Sequence, residues 1–180
     1  MSSGESTPVR LMNTIWADTD GTHDDLMTTA DVLAWLPTKT SCTRAELTWA
    51  RLLRDALRRL AASVTDDARQ DARSPVTDLD EAITVVNDLA AAAQPDQLAV
   101  HKDRLTLATL RATATAALAD IAAEAIQLLA APNAESLHAC LAPGCVRYFT
   151  KSHPRREWCS EACGNRVRAA RHYQRVRATR

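Results

Sequence analysis

The chain has 180 residues, 46% of them apolar and 24% charged, which supports a hydrophobic core and argues against a disordered chain. No apolar run reaches the roughly 18 residues that cross a bilayer, and the start Met1-Ser-Ser-Gly-Glu-Ser-Thr-Pro8 lacks the basic and apolar segments of a signal peptide. A soluble, cytoplasmic protein is therefore expected. The zero net charge conceals a split: residues 1–137 carry 12 Lys and Arg against 20 Asp and Glu, and residues 138–180 carry 10 against 2, or −8 and +8. An acidic body joined to a polyanion-binding end follows from that asymmetry.

Residues 1–8 read as a loose polar tail, and residues 9–16 as an apolar segment of either secondary structure. Residues 17–25 read as a loop of Asp, Gly, Thr and His. Thr28 and Asp31 predict the cap of a short helix carrying Val32, Leu33, Trp35 and Leu36 and ended by Pro37. Thr43 and Glu46 form a second capping box, opening the clearest helix of the body. Its apolar stripe is Trp49, Leu53, Ala56, Leu57, Leu60 and Val64. Arg51, Arg54, Asp55, Arg58 and Arg59 lie mostly off the stripe and read as a solvated face with local acidic partners, a second nucleic-acid surface being the alternative.

Residues 66–76 read as a charged loop closed by Pro75. A helix over about 78–93 buries Leu79, Ala82, Ile83, Val86, Leu89 and Ala90 and breaks at Gln94-Pro95-Asp96. Residues 97–107 suit two short strands around a His-Lys-Asp turn, with helix as the competitor. The Ala/Leu-rich run over about 108–130, with Leu110, Leu118, Ile121 and Leu128, predicts the longest helix, stopped by Pro132-Asn133.

No glycine-rich phosphate loop, nucleophile elbow or histidine–carboxylate metal motif is present, and no enzyme is expected. His23, Asp24 and Asp25 could hold a ligand or metal, but three adjacent positions point different ways and a solvated loop is the simpler reading. Cys42 reads as an inert thiol, and His101 as a turn residue. Trp16, Trp35 and Trp49 read as core anchors, with an aromatic-lined ligand pocket as the alternative.

Four cysteines fall within 24 residues as Cys140-x4-Cys145, thirteen residues, then Cys159-x3-Cys163. A structural zinc site needs four thiolates brought to a tetrahedron by two turns, and Pro143-Gly144 supplies the first turn. Ser160 is a fitting N-cap, which places Cys163 in a first helical turn. A disulfide or a redox dithiol is the competing use of the same cysteines. Four thiolates leave no open position, so the Zn2+ would be structural; His138 and His153 are surplus as ligands. Val146, Tyr148, Phe149 and Trp158 are the expected small core around the metal. In the helix over about 160–178, Arg168, Arg171 and Arg175 share one side, while Ala169, Tyr173 and Val176 form another that could pack on the knuckle or the body. A cationic stripe suits the major groove or a phosphate track, and DNA leads RNA and acidic protein surfaces as the partner.

The cysteines, Trp158, the run Cys163-Gly164-Asn165-Arg166 and the following Arg-Ala-Ala-Arg-His-Tyr segment strongly resemble the CGNR zinc-finger family over about residues 136–176. Three residues separate the last two cysteines, where members of that family often have four. Members often carry the finger behind a domain called ABATE, described as a stress-induced transcription regulator; Asn13-Thr14 and the segment 29–36 look like that domain's start. The resemblance implies zinc on Cys140, Cys145, Cys159 and Cys163 and binding to DNA. Gly164 reads as permitting close approach of backbone to the metal loop or a phosphate, and Asn165 as bonding within the knuckle or to adenine. Arg166 reads equally as a DNA contact or a bridge from finger to body.

The expected architecture is mainly α. A helical domain over 9–131, with a short β-hairpin, senses a signal or dimerises; a four-cysteine finger of zinc-ribbon or treble-clef-like type over 138–180 precedes a basic helix. DNA contacts are expected from Asn165, Arg166, Arg168, Arg171, His172 and Arg175. The expected function is DNA-binding transcription regulation, with a homodimer and a small-molecule effector as further partners. Two alternatives remain: a zinc-stapled protein-interaction module whose basic tail docks on the acidic body or a partner, and a small-molecule binder acting through the N-terminal domain.

Overall fold

The computed structural model describes residues 4–36, 41–93, 97–108 and 113–178. The expected breaks at Pro37 and at Gln94-Pro95-Asp96, together with Leu110, lie outside the described residues. The polar start is less loose than expected. Helix α1 (Thr7–Met12) opens on Pro8, whose fixed φ suits a first turn, and buries Val9, Leu11 and Met12. Residues 17–25 are a hairpin rather than a loop: β1 (Ile15–Asp18) pairs antiparallel with β2 (Gly21–Asp24), with Trp16 opposite His23. Its tight turn rests on Asp18 Oδ1, which accepts from the Asp20 amide at 2.8 Å, and on Gly21 at φ 128°. Helix α2 (Thr29–Trp35) begins at the expected capping box of Thr28 and Asp31.

Helix α3 (Arg44–Val64) is held at its start by Thr43 and Glu46, each accepting from the other's amide. At 21 residues it is longer than α5 (Ala114–Leu129), which begins at a Thr113 cap rather than near 108, so the Ala/Leu-rich run is not the longest helix. Helices α3, α4 (Leu79–Ala90) and α5 pack on one another, and α1 lies on α3 and α5. Their core is Ala50, Leu53, Ala56 and Leu57 from α3, Ala82, Val86 and Leu89 from α4, and Leu118, Ile121, Ala122 and Ala125 from α5. The buried face of α3 is rotated from the stripe expected: Trp49 and Val64 are 47% and 42% exposed, whereas Arg54 and Arg58 are buried. Ile83 of α4, also expected inside, is 40% exposed. The two arginines occupy core-facing positions because backbone carbonyls and carboxylates there accept their donors, which offsets the cost of burying polar groups.

Strands β3 (Gln97–His101) and β4 (Arg104–Ala108) form the second hairpin, in place of the competing helix. Lys102 and Asp103 at φ 49° and 59° make the two-residue turn whose twist matches the strands. The finger starts with β5 (Leu137–Ala139), paired antiparallel with β6 (Tyr148–Thr150), and ends in α6 (Glu161–Ala178). Leu137 and Tyr148 belong to the body's core cluster, so Tyr148 is not part of the finger's own core. That second, smaller cluster is the four cysteines with Ala142, Phe149, Val167 and Trp158. Among the described residues no helix is long and apolar enough to cross a membrane.

Candidate metal centre and the helix it carries

The β5–β6 pair leads Cys140 into a knuckle. The Cys140 amide donates to the Arg147 carbonyl at 3.0 Å and the Cys145 amide to the Ala142 carbonyl at 2.9 Å, with Gly144 at φ 70° closing the turn. That left-handed angle strains any residue with a Cβ. On the other side, Ser160 caps α6: its Oγ accepts from the Cys163 amide at 3.3 Å and its carbonyl from the Gly164 amide at 3.2 Å. The two turns bring the Sγ atoms of Cys140, Cys145, Cys159 and Cys163 within 4.8 Å of one another, all buried. Cys145–Cys159 and Cys159–Cys163 sulfurs are 3.7 and 3.5 Å apart. A disulfide needs about 2.05 Å, so these thiols are free, as is Cys42. A tetrahedron with bonds of about 2.3 Å has edges of about 3.8 Å, which these separations match.

The electrostatics also ask for a cation. Hydrogen bonds from Cys145 and Cys159 hold the Cys140 thiol far below its ordinary value, while the bond to Cys140 pushes Cys145 and Cys159 up. Thiolates packed this closely repel one another, and a divalent ion at their centre offsets that repulsion. Arg166 supplies positive charge as well, its Nη2 donating to Cys163 Sγ at 3.0 Å, and that sulfur raises the guanidinium's own pKa. His138 lies against the Phe149 ring, and His153 Nδ1 accepts from the Arg155 amide; neither belongs to the four-sulfur cluster.

The finger is fastened to the body by groups that sequence reading left on the surface. Arg69 Nη1 donates to the carbonyls of Cys140 and Cys145 at 2.8 and 2.7 Å, gripping the knuckle from behind. Arg58, 2% exposed, donates to Met12 O at 3.0 Å, Ala72 O at 3.1 Å and Val146 O at 3.2 Å. Both guanidinium groups lie against the Tyr148 ring, Arg58 at 5.5 Å and Arg69 at 5.3 Å, and its hydroxyl donates to Asp67 at 2.8 Å. Asn13 pairs with the edge of β6 as a strand would: its Nδ2 donates to Tyr148 O at 2.8 Å and its Oδ1 accepts from Tyr148 N at 2.9 Å. Glu5, from the tail expected to be loose, pairs with Arg156 and accepts from the Thr150 amide at 2.9 Å. The charged loop at 66–76 is thus a structural clamp.

Other singled-out residues are already engaged. His23 bonds Asp18 and stacks on Trp16 at 4.1 Å, Asp24 pairs with Arg54, and Asp25 accepts from Trp16 Nε1. Those three do not converge on one point. Cys42 donates to its neighbour's carbonyl, and burial raises its pKa.

Gly164 makes its close approach to Trp158: a Cβ there would meet the indole Cδ1 at 3.2 Å and Arg168 Nη1 at 3.3 Å. The glycine lets the ring lie on α6. Asn165, Arg166, Arg168, Arg171, His172 and Arg175 are exposed. Asn165 Oδ1 accepts from Arg168, and Arg175 Nε donates to the Arg171 carbonyl at 3.4 Å. Arg166 falls about 160° around the helix from Arg168, turned to the metal cluster. Tyr173 and Val176, expected on a packing side, are 69% and 41% exposed. Among the described residues past Val167 only Ala170 is even half-buried, so this stretch of the basic helix is not covered by the acidic body.

A helical body clasping a four-cysteine finger that projects a basic helix defines a metal-binding, zinc-finger class of protein. The chain belongs to the ABATE family, described as "Putative stress-induced transcription regulator", which matches residues 5–132. The CGNR zinc finger matches residues 136–176. A comparison with curated proteins found no match.

Proposed function

We propose that the protein is a cytoplasmic, non-enzymatic transcription regulator that holds one Zn2+ on its four cysteines and reads DNA with α6. The observation that carries this reading is the free-standing half of that helix. A helix of some ten residues is marginal alone in water, and here it presents Arg168, Arg171 and Arg175 on one side, with Asn165 and His172 beside them, away from the body. The +8 charge of residues 138–180 adds long-range attraction to phosphate. Four sulfurs complete a zinc sphere without a position for substrate or water, which suits a structural metal. A reducing compartment keeps such thiols available.

Arg168→Ala with Arg171→Ala is expected to weaken DNA binding and to lower the slope of log affinity against log salt by about 2, roughly one per lost phosphate contact. Fluorescence anisotropy over a salt series measures it; an unchanged slope rejects this helix as the contact surface.

One finger supplies mainly phosphate contacts, so the reading includes a second copy of the chain. The β3–β4 hairpin leaves Leu98, Val100 and Leu105 exposed at 73%, 71% and 73% on one face, which a two-stranded hairpin does not sustain in water. Its tip carries Lys102 and Arg104, while α4 exposes Asp80, Glu81 and Asp88 beside Ile83, a complementary seat on a partner copy. Light scattering is expected to give twice the chain mass, and Val100→Asp with Leu105→Asp to give the monomer; a monomeric native protein at micromolar concentration refutes the pairing.

A further inference from the structure

At the junction of body and finger lies a cavity of about 480 Å3 whose wall includes Arg10, Asn13, Asp25 and Arg147 from one side and the first turn of α6 from the other. Both arginines are half-buried. Arg147 lies over the Trp16 ring at 5.7 Å and Arg10 over the Trp35 ring at 5.6 Å. Among the described residues neither guanidinium has a hydrogen-bond or ion-pair partner, and Arg147 Nε is shut away from solvent with none. A guanidinium braced on an aromatic face is held in place without using its N–H donors. Donors so held and left unused cost free energy that an incoming acceptor recovers.

Three carboxylates also reach this cavity, and they sharpen the ligand's chemistry. Glu5 is spent on Arg156 and the Thr150 amide. Glu161 is exposed at the rim, and its amide and that of Ala162, at the positive end of α6, have no acceptor among the described residues. Asp25 accepts from Trp16 on Oδ1, and among the described residues its Oδ2 has no donor. We propose that this cavity binds a small metabolite bearing a carboxylate or phosphate, which Arg10 and Arg147 grip through their N–H forks, and a hydroxyl or amine that donates to Asp25. Bidentate arginine is the usual partner of such planar or tetrahedral acids, and the volume suits a small molecule. Because Ser160 and Cys159 line the same wall, the ligand touches the turn that aims α6. That regulatory consequence rests on the DNA reading; the binding does not.

The test uses the full-length, metal-loaded protein with inorganic phosphate, malonate, and chloride at matched ionic strength. One of the two acids is expected to raise Tm by a few degrees over chloride, as a ligand of the native state does. Phosphate alone active identifies a phosphoryl ligand, malonate alone a carboxylate. Arg10→Gln with Arg147→Gln is expected to abolish the rise, and Arg73→Gln, at an exposed arginine outside the cavity, to keep it. Labelling the native protein with an arginine-selective dicarbonyl gives a readout free of any folding defect: the acid should protect Arg10 and Arg147 several-fold. No stabilisation over chloride together with unprotected arginines overturns the site. Since neither readout contains DNA, this proposal and the DNA reading fail separately.

Discussion

Removing the metal is expected to unfold the finger and abolish DNA binding while the helical body stays folded. The finger's own core is four cysteines, Ala142, Phe149, Val167 and part of Trp158, too little apolar surface to hold some 40 residues. A structural zinc site contributes about 10–16 kcal/mol of apparent free energy in isolated fingers, comparable with the whole 5–15 kcal/mol stability of a domain. The body keeps its own cluster from α1, α3, α4 and α5 and loses the packing of Leu137, Ala139 and Tyr148. Metal analysis is expected to give one zinc per chain, and a strong chelator to remove helical dichroism equal to α6 while a body transition persists. Cys159→Ser reproduces this without chelator, because Cys159 sulfur neighbours both Cys145 and Cys163. Protein purified without chelator and free of metal, or a chelated protein with unchanged dichroism and DNA affinity, refutes the centre.

The metal centre was legible because its chemistry is local: two turns and a cap must sit within a few residues of the sulfurs, so spacing alone betrays them. The capping boxes at Thr28 and Thr43 were legible for the same reason. What joins finger to body was not. Arg58 bonds carbonyls 14, 46 and 88 residues away, and Arg69 carbonyls 71 and 76 away. A backbone acceptor has no side-chain signature, so an arginine that will be buried on carbonyls looks like one left in water. The same blindness misplaced the α3 stripe, since counting only apolar residues excludes the two arginines that share its inner face. Residues 17–25 misled differently: their polar composition suggested a loop, while the Trp16–His23 stack that supports the hairpin crosses the chain. Tyr173 and Val176 satisfied a packing period on α6, yet both are largely exposed there.

Arg58→Met is expected to destabilise the protein by about 3–5 kcal/mol, the range for breaking a buried charged network, although no cysteine of the cluster and no residue of the proposed DNA surface is touched. Methionine fills much of the same space but leaves the carbonyls of Met12, Ala72 and Val146 without their donor, and an unmet buried acceptor costs about 1–3 kcal/mol. Burial already depresses the Arg58 pKa, showing that its charge is held at some cost, so removing that charge returns part of the loss. At about 2–4 °C per kcal/mol for a chain of this size, Tm should fall by roughly 10 °C. Arg58→Lys restores charge but cannot span three carbonyls as the guanidinium fork does, and is expected to recover less than half. Arg59→Met, which loses one exposed bond to the Thr77 carbonyl, should shift Tm little. The three carbonyls belong to α1, the clamp loop and the finger, so the break falls at their junction. Limited proteolysis of the Arg58→Met protein should therefore release residues from about 137 onward while metal stays bound. Melting at the native temperature, or cleavage spread evenly along the chain, would show that Arg58 does not join the two units.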